Sequence, residues 1–180
     1  MTHPQPQMPP KPPGDDVRGF LPDHDGQQLF EWANQAAPIG PLLEIGSYCG
    51  RSTLWLGQAA KAHDTVVLAL DHHRGSEEHQ PGESHHDEAL VDTAGQFDSF
   101  GEFRRNIAAA GLEDTIIPIV TSSPIVGPHW QGGLGMVFVD GGHSLDAALT
   151  DYRAWAPRVL PGGILAIHDV FPDPADGGQA

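Results

Sequence analysis

Five short apolar runs, separated by helical patterns, constrain the fold of this chain more than any other feature. The runs are nearly continuous in hydrophobicity rather than alternating, which is typical of strands that helices cover on both faces of a parallel sheet. The runs span residues 42–45, 66–70, 116–120, 136–139 and 164–167, and the helical patterns span residues 25–37, 52–63, 99–110 and 144–159. Because strands alternate with helices, the sequence predicts an α/β protein with a doubly wound, mostly parallel sheet.

Local signals refine this expectation. Asp25 with Gln28 and Ser99 with Glu102 resemble capping boxes at the starts of the first and third helices. Pro118 removes a backbone donor from the third run, which favours an edge strand. In a sheet of this kind ligands bind beyond the carboxyl ends of the strands, so the residues that follow each run are the candidates for function.

Length and composition predict one domain preceded by an arm. A chain of 180 residues with 39% hydrophobic residues is sufficient for a single core. Residues 1–22 contain seven of the 17 prolines, so we expect a flexible arm, or a segment that folds over the active site or a neighbouring subunit. Residues 23–180 then form the domain.

A polar insert follows the second run at residues 72–97. It contains five of the 11 histidines, interleaved with acidic residues. We expect a mobile lid over the ligand site, with a plain solvated loop and a transition-metal site as alternatives. The histidine spacing matches no defined zinc pattern.

The charge of the chain restricts its partners. With a formal net charge of −15, the surface repels nucleic acid and anionic membranes, since both are bound through Lys and Arg. We therefore expect a neutral, cationic or metal-bridged partner. The absence of a long apolar run and of a signal sequence predicts a cytoplasmic protein, and the single cysteine, Cys49, excludes an internal disulfide.

A glycine-bearing turn follows the first run and opens the second helix, where residues 44–53 read EIGSYCGRST. The dinucleotide fingerprint lacks its second glycine here, and the phosphate loop lacks its spacing and its lysine. The pattern of Glu44, Gly46 and Gly50 resembles motif I of class I S-adenosylmethionine-dependent methyltransferases. Asp71, which ends the second run 27 positions after Glu44, strengthens the resemblance, because an acid there can accept both hydroxyls of a ribose.

The resemblance implies a Rossmann-like methyltransferase fold and a site for S-adenosylmethionine. In that family the acid corresponding to Asp71 binds the ribose, the glycine turn holds the methionine portion, and the end of the third strand lies beside adenine. The predicted cofactor-binding residues are Glu44, Gly46, Ser47, Gly50, Ser52, Asp71, Thr121 and Ser122. Cys49 is expected to be a small residue beside the cofactor rather than a nucleophile.

The fourth and fifth runs end in DGGH and HD. Neighbouring parallel strands would bring Asp140 and Asp169 within reach of one hard divalent cation such as Mg²⁺. His143 is placed to act as a general base, while His168 is either a third ligand or a buried support for its neighbour.

These residues resemble those of metal-dependent sugar O-methyltransferases of the macrolide-tailoring type. The family carries another acid where this chain has His168. The insert and the Pro-rich arm are similar to those of actinobacterial methylmannose 1-O-methyltransferases. The resemblance implies methyl transfer to a sugar hydroxyl of a small-molecule or oligosaccharide acceptor. A catechol-like or other vicinal diol acceptor would satisfy the same chemistry.

Alternatives come from other classes. A metal-dependent hydrolase could use Asp140, Asp169 and His143 to activate water, and a metal-sequestering module could use the His-rich insert. A nicotinamide oxidoreductase shares the fold but lacks the glycine fingerprint. Class I methyltransferases continue beyond the fifth strand, so we expect either a truncated sequence or a homodimer contact that covers the apolar edge at residues 164–167.

Overall fold

The computed structural model describes residues 16–80, 82–83, 86–142 and 144–170. It confirms the α/β prediction, because five parallel strands form one sheet in the order β3-β2-β1-β4-β5. The strands are β1 Leu42–Ile45, β2 Val67–Leu70, β3 Ile116–Ile119, β4 Leu134–Val139 and β5 Val159–Ile167. The α-helices are α1 Asp23–Ala36, α2 Arg51–Ala62, α3 Phe100–Ala109, α4 Ser123–Val126 and α5 Leu145–Trp155.

Two apolar layers, one on each face of the sheet, form the core. The first layer joins the sheet to α1, α2 and α3 and contains Leu29, Trp55 and Phe103. The second layer joins the opposite face to α4 and α5 and is centred on Trp155. Every residue of β1, β2 and β4 is buried, which explains why these runs are almost entirely apolar, with Glu44 in β1 as the charged exception.

The edge strands meet one expectation and correct another. Pro118 lies in β3 at the edge of the sheet, as predicted. The last strand begins at Val159, five positions earlier than residue 164, and the helix before it ends at Trp155 rather than at residue 159. A single 3-10 turn, Ala156–Arg158, separates the helix from the strand. The pairing of β4 with β5 shifts register between Leu134 and Met136.

Helix α5 exposes two of the apolar residues that helical spacing would place in the core. Leu145 and Tyr152 are 52% and 47% exposed. Trp155, which shares that spacing, is buried as expected, and Asp151 is buried with it. The helix therefore presents a carboxylate to the interior, a feature that the hydrophobic pattern does not predict.

Neither predicted capping box forms. Helix α1 begins at Asp23 after Pro22, with no side-chain cap. The Ser99 hydroxyl does not cap α3 but pairs with Nδ1 of His73 at 2.9 Å, while Asp98 accepts the backbone N–H of Phe100. Ser99 is thus used to fix the base of the insert to the core.

Residues 16–22, the described part of the predicted arm, pack against the domain. Val17 and Leu21 are buried in the first core layer. The Arg51 guanidinium donates to the carbonyl oxygens of Val17 and Leu21, at 3.1 and 2.8 Å, and to Asp23 at 2.6 Å. These residues are therefore anchored to the domain, as the alternative of a folded-over segment would require, whereas residues 1–15 lie outside the described part of the chain.

The insert at residues 72–97 lies over the ends of β1 and β2. It contains two 3-10 turns, Glu77–His79 and Glu88–Leu90, and a bridge between Val91 and Phe97. Arg18 binds Asp87 at 2.6 Å and so joins the N-terminal segment to the insert. Among the described residues, no histidine of the insert belongs to a group that could hold a metal ion. No helix in the described residues is long and apolar enough to span a membrane.

Candidate active site

A cavity of about 720 Å³ lies beyond the carboxyl ends of the strands, where the topology places a ligand site. It is lined by the turns after all five strands and by both the N-terminal segment and the insert. Nine predicted site residues line this cavity: Gly46, Ser47, Ser52, Asp71, Thr121, Ser122, Asp140, His168 and Asp169. Glu44 and Gly50 do not line it, and His143 lies outside the described residues.

The glycine turn is held against the end of β4. Gly46 has φ 87°, and a Cβ on it would lie 2.1 Å from the carbonyl oxygen of Asp140. Only glycine permits this approach, so Gly46 brings the two strand ends together. Gly50, with φ 94°, ends the turn as the residue before α2, and its role is confined to the backbone.

Glu44 supports the turn from below. Its carboxylate is buried in β1 and accepts a hydrogen bond from the Thr53 hydroxyl. Burial raises the pKa of Glu44 to about 7. The residue therefore orders the start of α2 rather than facing the cavity.

The Asp71 carboxylate is engaged by three backbone donors. Its Oδ2 atom accepts the N–H groups of Ser47 and Tyr48 at 2.9 and 2.8 Å, and its Oδ1 atom accepts that of His73 at 2.7 Å. An ionised carboxylate has about four acceptor positions, two on each oxygen. One position, on Oδ1, remains, so the carboxylate has capacity for one ribose hydroxyl rather than the predicted two.

The ends of β4 and β5 bring three candidate metal ligands together. Atoms of Asp140, His168 and Asp169 that can bind a metal all lie within 4.8 Å of one another. Nδ1 of His168 is 3.1 Å from Oδ1 of Asp140 and 3.2 Å from Oδ1 of Asp169. Hydrogen bonding to Asp140 raises the pKa of His168 to about 9, and Asp169 adds to this effect.

Asp169 has φ 55°, a conformation that costs energy in a residue with a side chain. Such strain is concentrated at functional sites, where the surrounding structure enforces it. Here the strained backbone turns the Asp169 carboxylate back towards the end of β4. His168 therefore lies between two carboxylates rather than supporting one neighbour only.

An aromatic wall, defined here as Phe20, Tyr48, His79 and Phe97, lines one side of the cavity. The ring centroid of Tyr48 lies 5.7 Å from that of Phe20 and 5.2 Å from that of His79. The wall therefore joins the N-terminal segment, the glycine turn and the insert. Phe20 was not predicted as a site residue, because it lies in the Pro-rich segment. Only the structure shows that Phe20 is exposed while its neighbours Val17 and Leu21 are buried in the core.

Cys49 lies behind this wall, buried with Leu90 and Phe97. It does not line the cavity, so the prediction of a small residue beside the cofactor is wrong. Burial raises the pKa of the Cys49 thiol to about 12, which keeps it protonated and unreactive at neutral pH. The structure thus agrees with the rejection of a nucleophilic role.

Asp151 is a further cavity-lining residue that the sequence analysis missed. It lies on α5 with 8% of its surface exposed, beside Ser123 and Gly141. The available signal was its position four residues before Trp155, which places both on one face of the helix.

Comparison with known protein families gives one match. The model of a family described as a methyltransferase domain matches residues 43–170, which include the glycine turn, Asp71 and the Asp140, His168 and Asp169 cluster. The chain belongs to this family. The hydrolase alternative receives no support from the comparisons.

Solved structures with the same fold are larger than this methyltransferase domain. The O-methyltransferase NovP has a TM-score of 0.65 and 18% identity, over 83% of this chain and 66% of its own. TomG from Streptomyces achromogenes, an O-methyltransferase of tomaymycin synthesis in complex with S-adenosylmethionine, has a TM-score of 0.61 and 17% identity, over 86% and 58%. A Bacillus cereus O-methyltransferase in complex with S-adenosylhomocysteine has a TM-score of 0.58 and 18% identity, over 83% of this chain and 58% of its own.

These comparisons establish the Rossmann-like fold of the domain. The chain spans between 58% and 66% of the length of the three structures. At this identity the likeness concerns the fold alone.

Proposed function

We propose that this methyltransferase domain transfers the methyl group of S-adenosylmethionine to a hydroxyl of a sugar, with a divalent cation such as Mg²⁺ at the acceptor. The observation that carries the proposal is that the Asp140, His168 and Asp169 cluster opens into the same cavity as the glycine turn. A site for the cofactor and a site for a metal-assisted hydroxyl are thus adjacent.

The residues fit a divalent cation. Two carboxylates and one imidazole converge within 4.8 Å, and oxygen donors of this kind suit Mg²⁺ or Mn²⁺. The Asp140 and Asp169 carboxylates raise the pKa of the His168 imidazole, and the same negative charge would attract a cation. A cation bound there would supply Lewis acidity that lowers the pKa of an acceptor hydroxyl.

The glycine turn and the ends of β2 and β3 supply the residues for the proposed cofactor site. The Gly46–Ser47 backbone is open to the cavity for the methionine portion, and the remaining acceptor position of Asp71 is available to a ribose hydroxyl. Thr121 and Ser122 line the cavity where the resemblance places adenine. S-adenosylmethionine supplies the methyl group on a positively charged sulfur.

The charge of the cavity supports an uncharged acceptor. Six acidic residues of the described chain line it: Asp71, Glu77, Asp140, Asp146, Asp151 and Asp169. Arg51 is the one Lys or Arg side chain among the described lining residues, and its guanidinium is engaged by Val17, Leu21 and Asp23. A phosphate- or carboxylate-bearing acceptor would be repelled, whereas a sugar hydroxyl would not.

Catalysis then depends mainly on alignment. The cluster after β4 and β5 orients the acceptor, and the turn after β1 orients the cofactor, so that the acceptor oxygen faces the methyl carbon in line with sulfur. The N-terminal segment and the insert cover the cavity through the Arg18–Asp87 ion pair, which limits the access of water. His143, three positions after Asp140, is proposed to take the hydroxyl proton.

The experiment that tests the proposal is a methyl-transfer assay with neutral mannose oligosaccharides, in the presence of Mg²⁺ or of a chelator. We expect product only with Mg²⁺, and a loss of about 100-fold or more in kcat for Asp140→Asn, Asp169→Asn and His143→Gln. Asp146→Asn is the matched control, since Asp146 lines the cavity but lies outside the cluster.

Calorimetric titration of S-adenosylmethionine separates the two parts of the proposal. The cluster variants should bind the cofactor as the unaltered protein does, since they affect the acceptor side. Full activity in chelator, or in Asp140→Asn, would contradict the metal-assisted scheme. Failure of the folded protein to bind S-adenosylmethionine would contradict the methyltransferase proposal itself.

A further inference from the structure

Asp151 is a buried carboxylate to which the proposed mechanism gives no role. It lies on the sheet-facing side of α5, with 8% of its surface exposed, and it lines the cavity. Burial raises the pKa of its side chain, so the protein keeps the carboxylate there at a cost. Carboxylates are retained in such positions when a donor binds them.

The described protein residues supply one donor. Nε1 of Trp155 donates to Oγ of Ser123 at 2.9 Å, so the lone pairs of Ser123 are partly used and its own proton is free for Asp151. Both Ser123 and Trp155 are buried, which fixes this chain of hydrogen bonds. A carboxylate has about four acceptor positions, so the described protein residues leave several of them for a ligand donor.

Gly141 opens the path from Asp151 to the cavity. A Cβ at Gly141 would lie 3.0 Å from Oδ2 of Asp151, which is closer than ordinary contact. A side chain at position 141 would therefore press on the carboxylate. Glycine leaves room beside Oδ2, and Asp151 lines the cavity together with Ser122 and Ser123.

We infer that Asp151 accepts a hydrogen bond from the exocyclic amino group of the adenine base and makes the site specific for an adenine cofactor. The inference rests on the proposed function, which places adenine beside Thr121 and Ser122. Asp151 contacts the next residue, Ser123, and the amino group is the N–H donor of the base. The methionine ammonium, the other N–H donor of the cofactor, lies at the glycine turn in the same arrangement.

The test compares two ligands that differ only at this group. Calorimetry gives the Kd of S-adenosylhomocysteine and of its deamino analogue, in which hydrogen replaces the exocyclic amino group. We expect the unaltered protein to prefer the amino ligand by about 10- to 100-fold, since the analogue leaves a buried acceptor unpaired. Asp151→Ala should bind both ligands with a ratio near one, and Asp151→Asn should retain part of the preference through its amide oxygen.

The ratio of the two Kd values separates base recognition from structural support. If Asp151 only stabilised α5, its variants would weaken both ligands equally and the preference would persist, which would overturn the inference. Asp146→Ala, an exposed acid on the same helix that also lines the cavity, should keep the full preference. An unaltered protein that binds both ligands equally would also overturn the inference, whereas one that binds neither would overturn the proposed function.

Discussion

The backbone N–H of Tyr48 donates to Oδ2 of Asp71 at 2.8 Å, which ties the turn after β1 to the end of β2. The same oxygen accepts the N–H of Ser47, so one carboxylate sets the path of the glycine turn. Tyr48 has φ 46°, and these hydrogen bonds stabilise its left-handed conformation. Asp71 is thus a structural element of the site as well as a candidate ligand of the cofactor.

Replacement of Asp71 should therefore affect both stability and cofactor binding. We expect Asp71→Ala to lower the free energy of unfolding by about 2–4 kcal/mol, because three backbone donors lose a charged acceptor. The affinity for S-adenosylmethionine should fall by at least about tenfold, since the turn is no longer fixed. Urea denaturation and calorimetry measure the two effects.

Glu113→Ala is a suitable control for the Asp71 variant, because Glu113 is an exposed acid in the turn before β3. It should leave both quantities unchanged. An Asp71→Ala protein that loses cofactor affinity at unchanged stability would show that the ribose contact, and not the turn, is the main role of the residue.

Gly46 should not tolerate a side chain. In Gly46→Ala the new Cβ would meet the carbonyl oxygen of Asp140 at 2.1 Å, and alanine disfavours φ 87°. We expect a loss of about 3 kcal/mol or more in unfolding free energy, or failure to fold. Thermal denaturation followed by circular dichroism measures the loss.

Gly101 provides the opposite case for comparison. It lies in α3, where a Cβ would meet only the end of the Arg105 side chain at 3.7 Å. Gly101→Ala should therefore stabilise the protein by about 0.5–1 kcal/mol. Equal effects of the two substitutions would contradict the close approach of the turn to β4.

The fold and part of the site were predictable because they depend on local patterns. Apolar runs mark the strands of a parallel sheet, and strand order then makes β4 and β5 neighbours, which explains why Asp140, His168 and Asp169 meet. The remaining capacity of Asp71 was not predictable, since it depends on which backbone N–H groups its oxygens accept.

Two further features depend on tertiary contacts that periodicity does not encode. Residues 16–22 have the composition of a linker. Arg51, the first residue of α2, nevertheless donates hydrogen bonds to the carbonyl groups of Val17 and Leu21 in this segment. On α5, Asp151 is buried and Tyr152 is exposed, with Trp155 packed in the core and hydrogen-bonded to Ser123. Both features depend on contacts between residues distant in sequence.

Arg51 should be essential for the cover of the cavity. In Arg51→Ala the carbonyl oxygens of Val17 and Leu21 lose their donor, so we expect a loss of about 2–4 kcal/mol and detachment of residues 16–22. Limited proteolysis should then cleave within this segment. Arg104→Ala, which removes an exposed guanidinium from α3, should change stability by less than about 0.5 kcal/mol. Equal protease resistance of both variants would contradict an anchoring role for Arg51.

Glu44 should make the stability of the metal-free protein fall as the pH rises. Burial raises its pKa from 4.5 to about 7, so between these values the folded state binds a proton that the unfolded state has released. The penalty is absent below about pH 4.5 and complete above about pH 7, where it reaches about 3 kcal/mol. In Glu44→Gln the amide cannot ionise, while its oxygen can still accept from Thr53.

The variant should therefore match the unaltered protein near pH 4.5 and exceed its stability at pH 8. Urea denaturation in chelator at several pH values measures this difference, and Glu31→Gln, which alters an exposed carboxyl of α1, should follow the unaltered protein. Because other groups titrate equally in both proteins, only the difference between their curves reports on Glu44. Parallel curves for Glu44→Gln and the unaltered protein would mean that the carboxylate is already charge-compensated in the fold.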